Sequence, residues 1–144
     1  MGVAIRRRTA TSEATTTPSG VVVPDLPGMV IGVAVSIRGG GIPEFRLAGA
    51  LSGDNGGTFY GFLANNGVAG QTASVITGRG SIVTPSVEGG VPLVVDQEVY
   101  LSRTPGQVTQ TPPAGVSGAR VLLVGVAISS TQIALLSDAS HWVA

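Results

Sequence analysis

The sequence predicts an all-β protein, a compact antiparallel β-barrel or jelly-roll-like sandwich with an extended N-terminal arm. Short apolar runs rich in Val and Ile recur at spacings of roughly 8–12 residues, which is typical of such folds. Glycine and proline, 22 and 9 of the 144 residues, separate these runs. No window of about twelve residues shows the periodicity of an amphipathic helix.

The first part of the body contains six predicted strands, each a run of β-branched or aromatic residues that ends at a turn signal. They lie at 21–23, 29–37, 45–51, 58–63, 72–77 and 81–83. The turn signals between them are Pro27-Gly28, the glycines at 39–41, the loop 53–57, Asn66-Gly67 and Gly78. Asn-Gly between apolar runs favours a hairpin because both residues tolerate positive φ.

The second part contains five predicted strands, at 91–95, 98–102, 108–111, 121–128 and 132–136. Between two of them, Pro105 and Gly106 occupy the positions that a type II turn favours, so we expect this turn at 104–107. A single helical turn at 139–142 is the most helix that we expect.

One internal similarity links residues 30–36 to residues 123–129, because both segments are apolar at nearly every position. Such segments are typical of central strands buried on both sides. We therefore expect these two strands to lie near each other in the sheet. A single similarity of this kind is too little to indicate a repeat array.

The first 20 residues differ from the rest and form the predicted arm, and residues 21–144 form the predicted single β-domain. Arg6, Arg7 and Arg8 with Glu13 give the arm a net charge of +2, whereas five Arg and seven acidic residues give the body −2. The Thr-rich stretch that follows favours extended backbone. We expect an arm that is flexible in solution and becomes ordered on a neighbouring molecule.

Low charge characterises the whole chain, with only 11% charged residues and a formal net charge of zero. A near-zero net charge favours association, so the composition indicates a protein that works inside an assembly. With no cysteine and one histidine, the chain has neither disulfides nor a multi-histidine metal site, and we expect no cofactor. No apolar run approaches the ~20 residues of a membrane-spanning helix, and we expect no membrane partner.

Two groups of residues have the composition of a catalytic site without its arrangement. Asp138, Ser140 and His141 supply the residue types of a hydrolase triad, but triad members must converge in space and near-neighbours at a C-terminus rarely do so. Four carboxylates could in principle form a glycosidase pair: Glu44, Glu88, Asp96 and Glu98. Six aromatic residues leave little for a sugar platform, so a carbohydrate-binding or hydrolytic domain is disfavoured. We predict a non-enzyme without a small-molecule substrate.

The residues that we expect to make contacts are Arg6, Arg7, Arg8 and Trp142. Three arginines could bind nucleic-acid phosphates, but without a broader basic face the footprint is small, and docking on an acidic protein surface is the favoured interpretation. A solvated tail is the other alternative. Trp142 is the only tryptophan, and it serves either at an interface or in ordinary core packing.

The C-terminal third carries a family resemblance. Residues 94–102 read VVDQEVYLS, residues 104–113 read TPGQVTQTPP, and residues 121–133 read VLLVGVAISSTQI. This pattern resembles a β-module of tailed-bacteriophage virion proteins, and it is similar to small head decoration (cement) proteins and to segments of tail-fibre proteins. The similarity covers about residues 90–137. Asp96-Gln97 stands where the pattern often has glycine.

The resemblance implies a capsid decoration protein that binds the outer surface of the assembled major capsid lattice and stabilises the head. By analogy with that family, the partners are the major capsid protein and further copies of the chain in a homotrimer, with no nucleic acid. The protein would be made in the host cytoplasm and reside on the capsid surface of the virion. The alternative is a tail or fibre module that contacts the host receptor, and the chain, without heptads or fibrous repeats, is short for a fibre. The family implies no catalytic residues.

Overall fold

The computed structural model describes residues 15–39, 41–50, 59–112 and 121–136. These residues form ten β-strands in two antiparallel five-stranded sheets, which confirms the predicted all-β class. The sheets pack together as a sandwich, and the described residues form neither a closed barrel nor an α-helix. The one helical element among them is a short 3-10 segment, Glu88–Gly90.

The first sheet has the strand order β1-β5-β4-β2-β3, and the second has the order β6-β10-β9-β7-β8. The strands of the first sheet are β1 (Thr15–Thr16), β2 (Ala34–Arg38), β3 (Glu44–Leu47), β4 (Phe59–Leu63) and β5 (Val75–Ile76). Those of the second are β6 (Ile82–Val83), β7 (Glu98–Leu101), β8 (Val108–Thr109), β9 (Leu123–Ala127) and β10 (Ile133–Leu135).

Most predicted strands overlap observed ones, and the differences have local causes. Residues 21–23 contribute only isolated parallel bridges at Val22 and Val23. Residues 91–95 form no strand, because Asp96 adopts a φ of 72° and turns the chain there. Strand β1 lies within the predicted arm, where it pairs with β5.

The predicted type II turn at 104–107 is confirmed. Gly106 has a φ of 86°, and the backbone N–H of Gln107 donates to the carbonyl oxygen of Thr104 at 3.2 Å. The Asn66-Gly67 pair, in contrast, makes no two-residue hairpin. Gly67 lies in a longer connection between β4 and β5, where its N–H donates to the carbonyl oxygen of Met29 at 2.8 Å.

The two sheets are built to the same plan. When the strands of each sheet are counted in chain order, both sheets have the order first-fifth-fourth-second-third. All the pairings within each sheet are antiparallel in both cases. We therefore describe the chain as two modules, the first containing β1–β5 and the second β6–β10.

The registers show that this correspondence extends to single residues. Val35 of β2 pairs with Gly61 of β4, and Val99 of β7 pairs with Gly125 of β9, both members lying 64 residues further along the chain. Immediately after this pair, the same bulge interrupts both ladders, between Val35 and Ser36 in one module and between Val99 and Tyr100 in the other. The two modules thus share their topology, their register and the position of the bulge.

The expectation that segments 30–36 and 123–129 neighbour each other in one sheet is wrong. The first segment enters β2 and the second forms β9, and these strands lie in different sheets. They are not equivalent either, because the register matches β9 with β4 and β7 with β2. Shared apolar composition reflects similar burial and carries no information on pairing.

The modules stack in the same orientation instead of facing each other. We call the face of each sheet that carries Val35 or Val99 its inner face, and the opposite one its outer face. One apolar cluster joins the outer face of the first sheet to the inner face of the second. Its members from the first sheet are Ala34, Phe59, Phe62 and Ile76, and those from the second sheet include Val99, Leu101, Val124, Ala127, Ile133 and Leu135.

A second cluster covers the inner face of the first sheet. Loop residues Val21, Val23 and Met29 pack there on Val35 and its neighbours. The sheet residues of this cluster are Val33, Val35, Phe45, Leu63 and Val75. Each fully buried aliphatic or aromatic side chain contributes about 1.5–3 kcal/mol, so the two clusters supply the main favourable term that offsets the conformational entropy lost on folding.

The glycine in the middle of β4 and β9 permits the ladder to close. A Cβ on Gly61 would overlap the carbonyl oxygen of Ile76, and one on Gly125 would lie 2.5 Å from that of Ala134. No side chain fits at that distance from a rigid neighbouring backbone. Glycine is therefore required at both positions.

We expect Gly125→Ala to lower the free energy of unfolding by about 2–3 kcal/mol, because β9 and β10 must move apart to accept the methyl group. Gly41→Ala is the control, since a Cβ there meets no atom within 4 Å. Urea unfolding monitored by circular dichroism measures both. Equal stability of Gly125→Ala and the wild type would contradict the close approach.

Candidate interaction surface

Two equivalent turns precede β2 and β7. The N–H of Val33 donates to the carbonyl oxygen of Val30 at 3.3 Å, and the N–H of Gln97 donates to that of Val94, also at 3.3 Å. The third residue of each turn has positive φ, 93° at Gly32 and 72° at Asp96. Positive φ at this position defines a type II turn, where glycine is preferred and Asp is among the better-tolerated alternatives. Asp96 therefore adopts a positive-φ conformation that glycine adopts most readily.

Each turn exposes two large aliphatic side chains at its first two positions. The exposed fractions are 48% for Val30 and 60% for Ile31 in one turn, and 53% for Val94 and 48% for Val95 in the other. Branched side chains have few rotamers, so they lose little entropy when a partner covers them. We call these four residues the turn pairs.

The first turn is held rigidly between the modules. The side-chain oxygen of Asn66 accepts the N–H of Ile31 at 2.9 Å. The N–H of Gly32 donates to the carbonyl oxygen of Leu63, and the carbonyl oxygen of Gly32 accepts the N–H of Ser86, both at 2.9 Å. These hydrogen bonds thus fix the backbone of Val30 and Ile31 in the free chain.

The second turn is held by a side chain. The amide of Gln110 donates to the carbonyl oxygen of Val94 at 2.8 Å and accepts the N–H of Val94 at 2.8 Å, in the manner of a neighbouring strand. The N–H of Asp96 donates to the carbonyl oxygen of Ala127 at 2.8 Å. Both turn pairs are therefore preorganised, which reduces the entropic cost of binding.

A shallow groove lies between the loop after β6 and the connection from β9 to β10. Its volume is about 320 Å³. It exposes mainly apolar atoms, and Val91 on its wall is 58% exposed. The lining residues are Thr84, Pro85, Val87, Gly90, Val91, Pro92, Ser130 and Thr131. This composition suits an apolar segment and supplies no acid, base or nucleophilic pair.

Three of the four candidate carboxylates bond to neighbouring side chains. Glu44 makes an ion pair with Arg46, with 2.8 Å between Oε1 and Nη2. Two others accept hydroxyl hydrogen bonds, Glu88 from Ser102 and Glu98 from Tyr100 at 2.7 Å. Within the part of the chain that the structure describes, no three Asp, Glu, His or Cys residues group to hold a metal ion.

The predicted contact residues Arg6, Arg7, Arg8 and Trp142 lie outside the described residues, as do Asp138, Ser140, His141 and the helical turn at 139–142. Sequence reasoning missed the turn pairs. Their signal is two adjacent aliphatic residues followed by Gly or Asp and repeated 64 residues later, but both pairs fall inside predicted strands, at 29–37 and 91–95. No helix within the described ranges is long and apolar enough to cross a membrane.

Tyr100 gives the outer face of the second sheet a titratable group. Its hydroxyl donates to Glu98 Oε1, and this hydrogen bond, with burial and the Glu98 charge, raises the pKa of Tyr100 above its ordinary value of 10.0. The folded state therefore holds this proton more tightly than the unfolded chain. The stabilisation is full below pH about 10 and is lost as the pH rises through the folded-state pKa.

We expect the free energy of unfolding to fall as pH rises above about 10, and Tyr100 to titrate at lower pH in Glu98→Ala. Tyrosinate absorbance follows the titration, and a Tyr60→Phe background leaves Tyr100 as the only tyrosine. An unchanged titration of Tyr100 in Glu98→Ala would show that Glu98 does not stabilise the protonated hydroxyl of Tyr100.

Comparison of the chain with protein-family models, with curated proteins and with solved structures finds no match.

Proposed function

We propose that the chain is a bacteriophage capsid decoration protein that binds the outer surface of the assembled major capsid lattice and stabilises the head without enzymatic activity. The observation that carries this proposal is the two rigid turn pairs, which present aliphatic side chains at equivalent places in two modules. Exposed, preorganised apolar groups are typical of docking surfaces.

The fold is compatible with the family resemblance. The VYLS segment forms β7 and the start of the loop after it, and Val99 and Leu101 are fully buried. The VLLVGVAIS segment contains β9, and its Val124 and Ala127 belong to the apolar cluster between the two sheets. The most distinctive residues of the motif thus build the second module, which presents Val94 and Val95.

The proposed mechanism is mechanical. A protein that binds the assembled lattice and not its separate subunits stabilises the lattice by RT ln(1 + [L]/Kd) per site. In a homotrimer several weak contacts act together, so modest affinity at each turn pair suffices. Arg6, Arg7, Arg8 and Trp142 are proposed to add contacts with the major capsid protein or between subunits. The protein would be made in the host cytoplasm and reside on the virion.

We expect the double variant Ile31→Asp/Val95→Asp to bind capsid shells at least about tenfold more weakly. The reason is that a charge replaces an aliphatic group in each turn pair, and tenfold corresponds to about 1.4 kcal/mol. Val68→Asp is the matched control, because Val68 is 63% exposed and lies outside both turns. Cosedimentation with shells of the major capsid protein measures binding.

Failure of the wild-type chain to bind shells would overturn the proposal. Equal binding by the double variant and the wild type would show that the turn pairs do not contribute to shell binding. The copy number per virion separates the head from the tail. Hundreds of copies support a decoration protein, whereas a small fixed number would instead place the chain in a tail or fibre that contacts the host receptor.

A further inference from the structure

The outer face of the second sheet is apolar at its centre. Leu123, Val126 and Ala134 point to this side, are half-buried, and belong to neither of the two apolar clusters. Tyr100, which pairs with Leu123, is 9% exposed, and it too lies outside both clusters. The two clusters therefore leave this face without an apolar layer of its own.

The first module shows what such a face packs against. On its outer face, Phe62 and Ile76 are 0% and 6% exposed, because the inner face of the second sheet covers them. Val126 and Ala134 occupy the same two positions in the second module, as the registers show. A layer of apolar side chains over Val126 and Ala134 would repeat the arrangement that buries Phe62 and Ile76.

The C-terminal segment, residues 137–144, starts at this face. Leu136 follows β10, and its N–H donates to the carbonyl oxygen of Val124 in β9 at 3.2 Å. Leu135 points inward, into the cluster between the sheets, so Leu136 points to the outer side by the alternation of a strand. The chain beyond Leu136 therefore continues from the outer side of the second sheet.

The segment is long enough to bring its tryptophan to the centre of the face. Trp142 lies six residues after Leu136, a distance that extended chain spans with about 20 Å. The sheet order places β7 two strands from β10, which corresponds to about 10 Å. Trp142 can therefore reach Tyr100 in β7 without full extension of the chain.

The composition of the segment matches the face. Trp142 and Val143 are its large apolar residues, and an aromatic side chain of this kind buries about 150–250 Å² of surface on an apolar platform. Glu98 is the acidic residue of the face and is exposed, so it can accept an N–H of His141, which precedes Trp142. The covalent link also gives this segment a high effective concentration at the face, which a separate molecule lacks.

We infer that, in the free chain, residues 137–144 fold back over the outer face of the second sheet and pack Trp142 on Tyr100, Leu123 and Val126. The segment gives the second sheet the layer that the second module gives the first. It also covers an apolar face that would otherwise favour association with other molecules. The inference goes beyond the proposed function, and the contacts proposed for Trp142 in the assembled particle are separate from it.

Tryptophan fluorescence of the full-length chain tests the inference, because Trp142 is the only tryptophan. We expect emission at a shorter wavelength than that of the urea-unfolded chain, at every protein concentration. Val126→Asp places a charge on the face and shifts the emission towards that of the unfolded chain. Val68→Asp is the control and keeps the wild-type emission, because Val68 is 63% exposed in the connection between β4 and β5. Circular dichroism checks folding.

A label on the face gives a second readout that leaves the apolar side chains intact, so it decides the question if Val126→Asp unfolds. The chain has no cysteine, and Thr109→Cys therefore accepts a single bimane group beside Tyr100, its partner in the register. Tryptophan quenches bimane on contact. We expect weaker bimane emission in Thr109→Cys than in Thr109→Cys/Trp142→Phe. The same label on Val68→Cys is the control, and its emission does not depend on Trp142.

Three results would overturn the inference. Wild-type emission at the wavelength of the unfolded chain would show that Trp142 does not pack on the face. Emission or bimane quenching that changes with protein concentration would show that a second copy covers the face instead. Wild-type emission in folded Val126→Asp, or unquenched bimane on Thr109→Cys, would place Trp142 elsewhere. Because none of these measurements uses capsids, they are independent of the shell-binding result.

Discussion

The burial of the outer face of the first sheet under the second module is the contact on which the rest of this structure depends. Phe62 lies fully buried at its centre, in edge-to-face contact with Phe59 at a centroid separation of 5.4 Å. The inner face of the first sheet is covered by loop residues of its own module, but the outer face of the first sheet and the inner face of the second sheet are buried against each other. One contact therefore completes both modules, and the first turn is tied across it through the hydrogen bond from Ser86 N–H to the carbonyl oxygen of Gly32.

The duplication explains features that look accidental in either half alone. Asp96 with positive φ is unusual until it is compared with Gly32, which holds the same place in the first module. The bulge beside Gly61 and the bulge beside Gly125 place the same close approach to the fifth strand in each sheet. Such bulges increase local twist and redirect side chains, and here each one sits in the centre of its sheet.

The sequence predicts the fold class and most strand positions because short runs of β-branched residues and the Gly and Pro turn signals between them are local features. The turn at Pro105-Gly106 was predictable for the same reason. The strand predicted at 91–95 fails because Asp96 turns the chain there, and the backbone of Val94 bonds to the Gln110 side chain instead of to a neighbouring strand. The two threonines of β1 pair with β5 but carry no apolar signal of their own.

The duplication and the candidate surface leave only one short signal in the sequence, the aliphatic pairs at 30–31 and 94–95, for a related reason. Equivalent positions have diverged in size and polarity, as Phe62 and Val126 or Ala34 and Glu98 show, because one member of each pair lies inside the stack and the other at its end. Different burial selects different residues at the same place in the module. Only the strand order and the registers, which sequence patterns do not encode directly, make the correspondence visible.

Residue-resolved amide hydrogen exchange of Phe62→Ala tests most directly whether the two modules depend on their shared contact. Truncation of a buried phenylalanine costs about 3–5 kcal/mol. The account predicts that amides of β9 and β10 exchange faster along with those of β4 and β5, because the second module loses the cover of its inner face. Faster exchange confined to the first sheet, with β9 and β10 protected as in the wild type, would contradict it.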